Sequence, residues 1–96
     1  MRVRFSAPAL AELDAILADL AAKNPLAAQH LERRIRGVVD RIGRFPGAFQ
    51  EVEERPGVRK VPLVRYPYLM FYKVFGDEAV VLRIIHGARK EPWEDL

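Results

Sequence analysis

Residues 57–89 constrain the fold of this chain more than any other stretch. They contain three runs rich in Val, Ile, Leu, Tyr and Phe, which are separated by turn signals at Tyr66-Pro67 and Gly76-Asp77. Because β-branched and aromatic side chains fit a pleated, half-buried surface, the stretch predicts a meander of three strands. The rest of the chain then has to supply the layer that covers one face of this sheet.

The residues before the meander predict one short strand and two helices. Residues 1–6 alternate polar and apolar side chains, which is the pattern of a half-buried strand. Residues 7–23 carry apolar side chains at helical spacing, and Asn24-Pro25 is suited to end this helix and cap the next. The second helix is expected to stop at Phe45, and residues 46–56 are expected to form a loop with an acidic centre.

The resulting order, β-α-α-β-β-β, indicates an α+β fold in which a helical hairpin packs on one face of a mainly antiparallel sheet. At 96 residues the chain is expected to be a single domain, residues 1–96. It has no apolar run near the roughly 18 residues that span a bilayer, and no recognisable signal peptide. The sequence contains 0 cysteines, which fits a reducing compartment, so we expect a cytoplasmic protein without a membrane contact.

Alternation along the two longer strands predicts the two faces of the sheet. The face expected to pack under the helices carries Tyr68, Met70, Tyr72, Val74, Val80, Leu82, Ile84 and His86. The other face mixes apolar and cationic side chains, namely Leu69, Phe71, Lys73, Val81, Arg83 and Ile85. Because two helices can cover only one face, this second face is expected to stay open. An exposed apolar surface edged with cations predicts a docking groove.

The charge of the chain is modestly basic, with a formal net charge of +3, and it is unevenly placed. The second helix concentrates five arginines, which are Arg33, Arg34, Arg36, Arg41 and Arg44. Such a stripe is compatible with an anionic partner, either nucleic acid or an acidic protein segment. On charge alone, an ordinary solvated helix face is the favoured interpretation, because such runs of charge are common on exposed helices.

Motifs for common enzyme chemistry are missing from the sequence. We find no phosphate-binding loop, no dinucleotide fingerprint and no His-x-x-x-His pair, and therefore expect neither a cofactor nor a metal ion. The two histidines, His30 and His86, are far apart, and Ser6 is the only serine. Hydrolase and metalloenzyme classes therefore have little support.

One constellation of basic residues is expected to gather at the strand ends: Arg59, Arg65, Arg83, His86 and Arg89. Guanidinium groups could clamp a phosphate or stabilise the charge that develops in phosphoryl transfer, and a histidine could move protons. The alternative is structural. Arg59 and Arg89 would then pair with nearby glutamates (Glu51, Glu53, Glu54 or Glu91), and His86 would be a satisfied strand-end residue.

The element order and several short motifs resemble the ParE/RelE superfamily of small bacterial toxins from type II toxin–antitoxin systems. The resemblance spans nearly the whole chain and rests on an ordered set of motifs: Asn24-Pro25 with Ala27-Ala28, Phe45-Pro46-Gly47, Gly57-Val58-Arg59, Tyr68-x-x-x-Tyr72-Lys-Val74 and Ile85-His86-Gly-Ala-Arg89. It implies a bacterial cytoplasmic toxin that inhibits growth, contributes to plasmid stabilisation and forms a hetero-oligomer with a cognate antitoxin.

The superfamily divides by mechanism. RelE-like members cut mRNA on the ribosome without a metal, using basic residues on the open sheet face and a Tyr or His near the C-terminus. ParE-like members instead poison DNA gyrase. Arg59, His86 and Arg89 match the nuclease pattern, but Leu69 stands where these nucleases place an arginine, and Trp93 replaces Tyr. The resemblance therefore favours a non-enzymatic, ParE-like gyrase inhibitor. A metal-independent endoribonuclease and a non-toxic binding domain are the alternatives.

The resemblance also assigns surfaces to partners. The open face, with Leu69, Phe71 and Ile85 as its apolar part, is expected to receive an antitoxin segment whose acidic flanks would suit Lys73, Arg83 and Arg89. Contacts with the target, gyrase or alternatively the ribosome and mRNA, are expected from a second set: Arg33, Arg36, Arg59, Arg65, Arg89 and Trp93.

Overall fold

The computed structural model of the chain describes residues 1–88, 94 and 96. Its elements run in the order β1 (Arg2–Phe5), α1 (Ala7–Lys23), α2 (Pro25–Arg44), β2 (Gln50–Glu51), β3 (Val58–Pro62), β4 (Tyr68–Phe75) and β5 (Glu78–His86). The α+β fold predicted from the sequence is confirmed. The difference is β2, a strand of two residues within the stretch predicted as a loop, which is too short to show any periodicity.

The strands form one sheet of five, in the order β1-β5-β4-β3-β2. The first strand, β1, lies parallel to the last, β5, while the other neighbouring strands are antiparallel. The helical hairpin fills the connection between β1 and the rest of the sheet. Neither of the helices in the described part of the chain is long and apolar enough to cross a membrane.

Two side chains fix where the helices begin. The hydroxyl of Ser6 accepts the N–H of Ala9 at 3.2 Å and donates to the carbonyl of Leu82 at 2.8 Å, so the same cap attaches α1 to β5. Asn24 accepts the N–H of Ala27 at 3.1 Å as the cap of α2. Its own N–H donates to the carbonyl of Leu20 at 2.7 Å, which closes α1. The predicted break between the helices is therefore confirmed.

The main core lies between the helices and the sheet. The second helix, α2, contributes a buried stripe at helical spacing, consisting of Leu31, Ile35, Val38 and Ile42. The sheet contributes Val61, Leu63, Met70, Tyr72, Ala79, Val81 and Ile84. In α1 only Ala9 is fully buried, so this helix lies over the core more loosely than α2 does.

A smaller cluster covers part of the opposite face. It consists of Val52, Val58, Phe71 and Ile85, with Leu69, Leu82 and Leu96 packed against it. The chain folds back after β2, where the N–H of Val52 donates to the carbonyl of Val58 at 2.7 Å. Phe71 and Ile85 are consequently only 1% and 3% exposed. The prediction that nothing in the chain covers this face is therefore wrong for its centre.

A β-bulge reverses the predicted faces of three residues in β5, namely Val80, Val81 and Leu82. Tyr72 lies opposite Val81, whereas its neighbour Phe71 lies opposite Arg83, so Leu82 is the extra residue. Val81 is consequently part of the main core, and Leu82 packs on the other face. Val80 lies opposite Lys73 and so shares the open face. The sequence-based assignment of these three residues was the reverse, because simple alternation assumes an unbroken register.

Candidate functional site

The open face of the sheet retains four of the six residues predicted to form the docking groove. Leu69, Phe71 and Lys73 share this side of β4, and Ile85 lies opposite Leu69 on β5. Leu69 and Lys73 remain half-buried and are available at the surface, while Phe71 and Ile85 form the floor beneath them. The resulting strip is apolar along its middle.

Charges of both signs border this strip. Towards β2, a cavity of about 380 Å³ is lined by Leu69, Phe71 and Lys60, together with three glutamates, Glu51, Glu53 and Glu54. At the other end of β4, the Nζ atom of Lys73 lies 5.4 Å from the centre of the Phe75 ring. The expectation of a purely cationic edge is therefore wrong, because the loop around β2 places its glutamates beside the apolar strip.

Arg83, the fifth predicted groove residue, is bound to Glu12 of α1. Its Nη2 atom lies 2.6 Å from Glu12 Oε2 and its Nε atom 3.0 Å from Oε1, and the N–H of Ile84 also donates to Oε1 at 3.0 Å. The pairing of β1 with β5 ends at Phe5 and Val81, so the edge of β5 lacks a strand partner beyond that point. Glu12 replaces that partner. Arg83 therefore joins α1 to the sheet and does not line the groove, and the sixth residue, Val81, is in the core.

Arg59 anchors the loop after α2. Its Nη1 atom donates to the carbonyl of Phe49 at 2.6 Å and lies 3.4 Å from that of Gly47. Opposite Arg59 on β4, the buried hydroxyl of Tyr72 donates to the carbonyl of Pro46 at 2.6 Å. Burial raises the pKa of Tyr72 above its usual 10.0, and the charge of Arg59 and a backbone hydrogen bond partly oppose this shift. The predicted pairing of Arg59 with glutamate is replaced by bonds to backbone carbonyls.

His86 lies at a different place on the sheet. It is opposite Tyr68, with the two rings edge to face at 5.6 Å, and its Nδ1 atom accepts the N–H of Ala88 at 3.1 Å. Arg59 is opposite Tyr72, four positions along β4, so about 14 Å of strand separates the two groups. The structure therefore does not bring Arg59 and His86 together. Arg89 and Trp93, the other predicted residues of this set, lie outside the described residues.

The arginines of α2 divide between two sides of the helix. Arg36 pairs with Glu32 at 2.6 Å and Arg44 with Asp40 at 3.4 Å, in both cases one turn apart. On the side towards the β3–β4 turn, two adjoining cavities of about 630 and 440 Å³ share Arg33 and Arg34 as lining residues. The first also contains His30, Val64, Arg65 and Tyr66, and the second contains Gly37, Val38, Arg41, Phe49, Val61 and Pro62.

An apolar groove between the two helices was not anticipated from the sequence. It has a volume of about 540 Å³, and its lining consists of Phe5, Leu13, Leu17, Ile35 and Val39, with Glu32, Arg36 and Asp40 at the rim. The sequence does contain a signal for this groove, because α1 carries more apolar residues than one contact surface can bury. Leu10, for example, is 50% exposed.

No group of three or more His, Asp or Glu residues in the described part of the chain is arranged to hold a metal ion.

The helical hairpin lies on one face of the five-stranded sheet and the mixed apolar and charged strip on the other, so the chain forms a small α+β domain. Residues 3–91 match the family described as "ParE toxin of type II toxin-antitoxin system, parDE". The chain is 30% identical over 95 residues to Y4kP of Sinorhizobium fredii, a protein assigned as a toxin, and the match covers 95% of this chain and 93% of that protein.

Similarity extends to a solved structure titled "Chromosomal ParDE TA system from P. aeruginosa". The two chains are 30% identical, with a TM-score of 0.76, and the match covers 90% of this chain and 95% of the other. The chain belongs to the ParE toxin family of type II toxin–antitoxin systems, as the sequence predicted. Membership of this family implies a cognate antitoxin as partner.

Proposed function

We propose that this chain is a toxin that acts by binding and inhibiting DNA gyrase, and that its antitoxin neutralises it by occupying the open face of the sheet. The observation that carries the proposal is the separation of Arg59 from His86 within a domain of the ParE family. Arg59 and His86, two of the basic groups that a RelE-like nuclease would need, thus lie at different ends of β4.

The chemistry of the open face also supports an interaction-type toxin. Leu69 lies at its centre, and a hydrocarbon side chain cannot stabilise the charge that develops on a phosphate during cleavage. The guanidinium group of Arg59 is already engaged by two backbone carbonyls. Removing it from these carbonyls would leave the loop after α2 without its anchor.

The apolar strip of Leu69, Phe71 and Ile85 suits one amphipathic segment of the antitoxin. Because Lys73 and the glutamates Glu53 and Glu54 all border the strip, a complementary segment has to carry charges of both signs at matching positions. The antitoxin segment is expected to place acidic residues near Lys73 and basic residues near the glutamates.

The test is expression of the chain in bacterial cells, with and without its antitoxin, combined with a supercoiling assay on purified gyrase. We expect growth arrest, gyrase-linked DNA breaks and loss of supercoiling, all of which the antitoxin reverses. Cleavage of translated mRNA with intact DNA would overturn the proposal in favour of the nuclease alternative. The absence of any effect on growth or on gyrase would favour a non-toxic binding domain.

A further inference from the structure

We propose that one side of α2 and the adjoining β3–β4 turn bind the phosphate backbone of double-stranded DNA. The surface, which we name the basic track, consists of His30, Arg33, Arg34, Arg41 and Arg65. This inference deepens the proposed function and rests on it in one respect, since the DNA in question would be the segment held by gyrase. Direct DNA binding can be measured without gyrase, so the two proposals can fail separately.

The first observation is the separation of charge on α2. Its acidic residues Glu32 and Asp40 are paired with Arg36 and Arg44. The two cavities along the basic track, in contrast, have no Asp or Glu among their lining residues. Neither Arg33 nor Arg34 takes part in an ion pair within residues 1–88. Arg33 also shares a smaller cavity with Glu32, but that carboxylate is paired with Arg36, so the track keeps an excess of positive charge, which is the electrostatic pattern of an anion-binding surface.

The second observation is the extent of the track. His30 and Arg41 are eleven residues apart on one helix, which corresponds to about 16 Å. Double-stranded DNA presents one negative charge per about 1.7 Å of its axis, so a track of this length faces several phosphates at once. Guanidinium groups bind phosphate oxygens in a fork geometry, and a row of them positions a duplex without reading its sequence.

The third observation is the conformation of Arg65. This residue has φ of 78°, in the left-handed region that residues other than glycine rarely adopt. The turn is held by the N–H of Tyr66, which donates to the carbonyl of Leu63 at 2.8 Å, and the Tyr66 hydroxyl lies 3.4 Å from the carbonyl of Ala27 in α2. The strained turn places Arg65 in the same cavity as His30, Arg33 and Arg34.

An acidic protein segment is the less suitable partner for this surface. An amphipathic helix needs accessible apolar anchors at regular spacing, but the larger cavity offers only Val64 and Tyr66, and in the smaller one Val38 and Val61 are 7% and 2% exposed. The apolar groove between the helices lies on the other side of α2, where Arg36 and Asp40 form its rim. Charge without a continuous apolar floor favours the DNA backbone over a docked helix.

The test is the fluorescence anisotropy of a labelled DNA duplex of about 20 base pairs. The duplex is titrated with antitoxin-free toxin at several NaCl concentrations. The decisive variant is the double substitution Arg33→Gln with Arg34→Gln. We expect it to weaken binding by about tenfold or more at low salt, and to reduce the slope of log K against log salt by about 2. The matched control is Arg36→Gln with Arg44→Gln, which removes the same charge from the same helix and should change affinity by less than about threefold.

Three results would overturn the inference. Equal losses in the two double variants would show that net charge alone attracts DNA. Binding of an acidic peptide by the track, with no binding of the duplex, would assign the surface to a protein partner. Full binding by the Arg33→Gln, Arg34→Gln variant would exclude the track. Gyrase inhibition by the same variants is measured separately, so a toxin that binds DNA through the track but leaves gyrase active would refute only the proposed function.

Discussion

Glu12 and Arg83, which are 71 positions apart in the sequence, form an ion pair in which one carboxylate accepts from the guanidinium group and also from the N–H of Ile84. The pair lies at the place where β1 ends and the outer edge of β5 continues without a strand partner. Both side chains are about three-quarters buried. The carboxylate thus does two tasks, since it neutralises Arg83 and completes the hydrogen bonding of the strand edge.

We expect Glu12→Ala to lower the free energy of unfolding by about 2–3 kcal/mol, because it removes the one carboxylate that binds both the Arg83 guanidinium group and the N–H of Ile84. Urea unfolding followed by circular dichroism measures this loss. The matched control is Glu32→Ala, whose ion pair with Arg36 is exposed and should contribute no more than about 0.5 kcal/mol. Similar losses in the two variants would show that the Glu12 pair has no special role.

Because of the buried Tyr72 hydroxyl, the stability of the fold is expected to vary with pH in the alkaline range. Because burial raises the pKa of Tyr72 above 10.0, the folded state retains this proton at a pH where the unfolded state releases it. The contribution is therefore complete below pH 10.0 and is lost as the pH rises further. We expect Tyr72→Phe to lower stability by about 1 kcal/mol at neutral pH through loss of the bond to Pro46, and to flatten the alkaline decline. Parallel curves for the two proteins between about pH 8 and 11 would contradict this.

Gly37 offers a stabilising substitution. It lies in the interior of α2, is exposed, and has no atom within 4 Å of the position a Cβ would take. We expect Gly37→Ala to raise the free energy of unfolding by about 0.5–1 kcal/mol, since alanine has the higher helix propensity. Gly43→Ala in the same helix is the control, because its Cβ would lie 3.1 Å from the carbonyl oxygen of Met1. It should give no gain, and equal gains at both sites would argue against this account.

The location of the antitoxin can be tested by adding one charge to each apolar surface. We expect Leu69→Arg, on the open sheet face, to weaken antitoxin binding at least about tenfold, because a long charged side chain would interrupt the apolar strip that the segment has to cover. Leu17→Arg places the same charge in the groove between the helices and should have a smaller effect. Isothermal titration with both folded variants measures the difference. The reverse ranking would place the antitoxin between α1 and α2.

Local signals in the sequence were sufficient to predict most of the fold. Asn24-Pro25 marks the break between the helices, and the stripe of Leu31, Ile35, Val38 and Ile42 identifies the buried side of α2. Each of these signals acts within a few residues along the chain. Because these local signals agree with the tertiary packing, they could be interpreted without knowledge of the fold.

The candidate site could be predicted only in part, because its features depend on distant residues. The bulge at Leu82 reverses the alternation of β5 and removes Val81 from the open face. Arg83 is directed to Glu12 by the short length of β1, and Val52 covers Phe71 because of the small strand β2. None of these relationships leaves a periodic pattern in the sequence around the residue that it affects.

The parallel pairing of β1 with β5 has a consequence for synthesis of the protein. Arg2 lies opposite Glu78 and Phe5 opposite Val81, so the earliest strand has no partner until the latest one has been made. Contacts this distant in sequence form slowly, and they cannot form at all in a chain that stops before β5. In such a chain the Ser6 hydroxyl would lack its acceptor, the carbonyl of Leu82. The Glu12 carboxylate would lack its donors on Arg83 and Ile84. Interrupted translation of this toxin is therefore expected to release a harmless unfolded peptide, so toxicity begins only with a complete sheet.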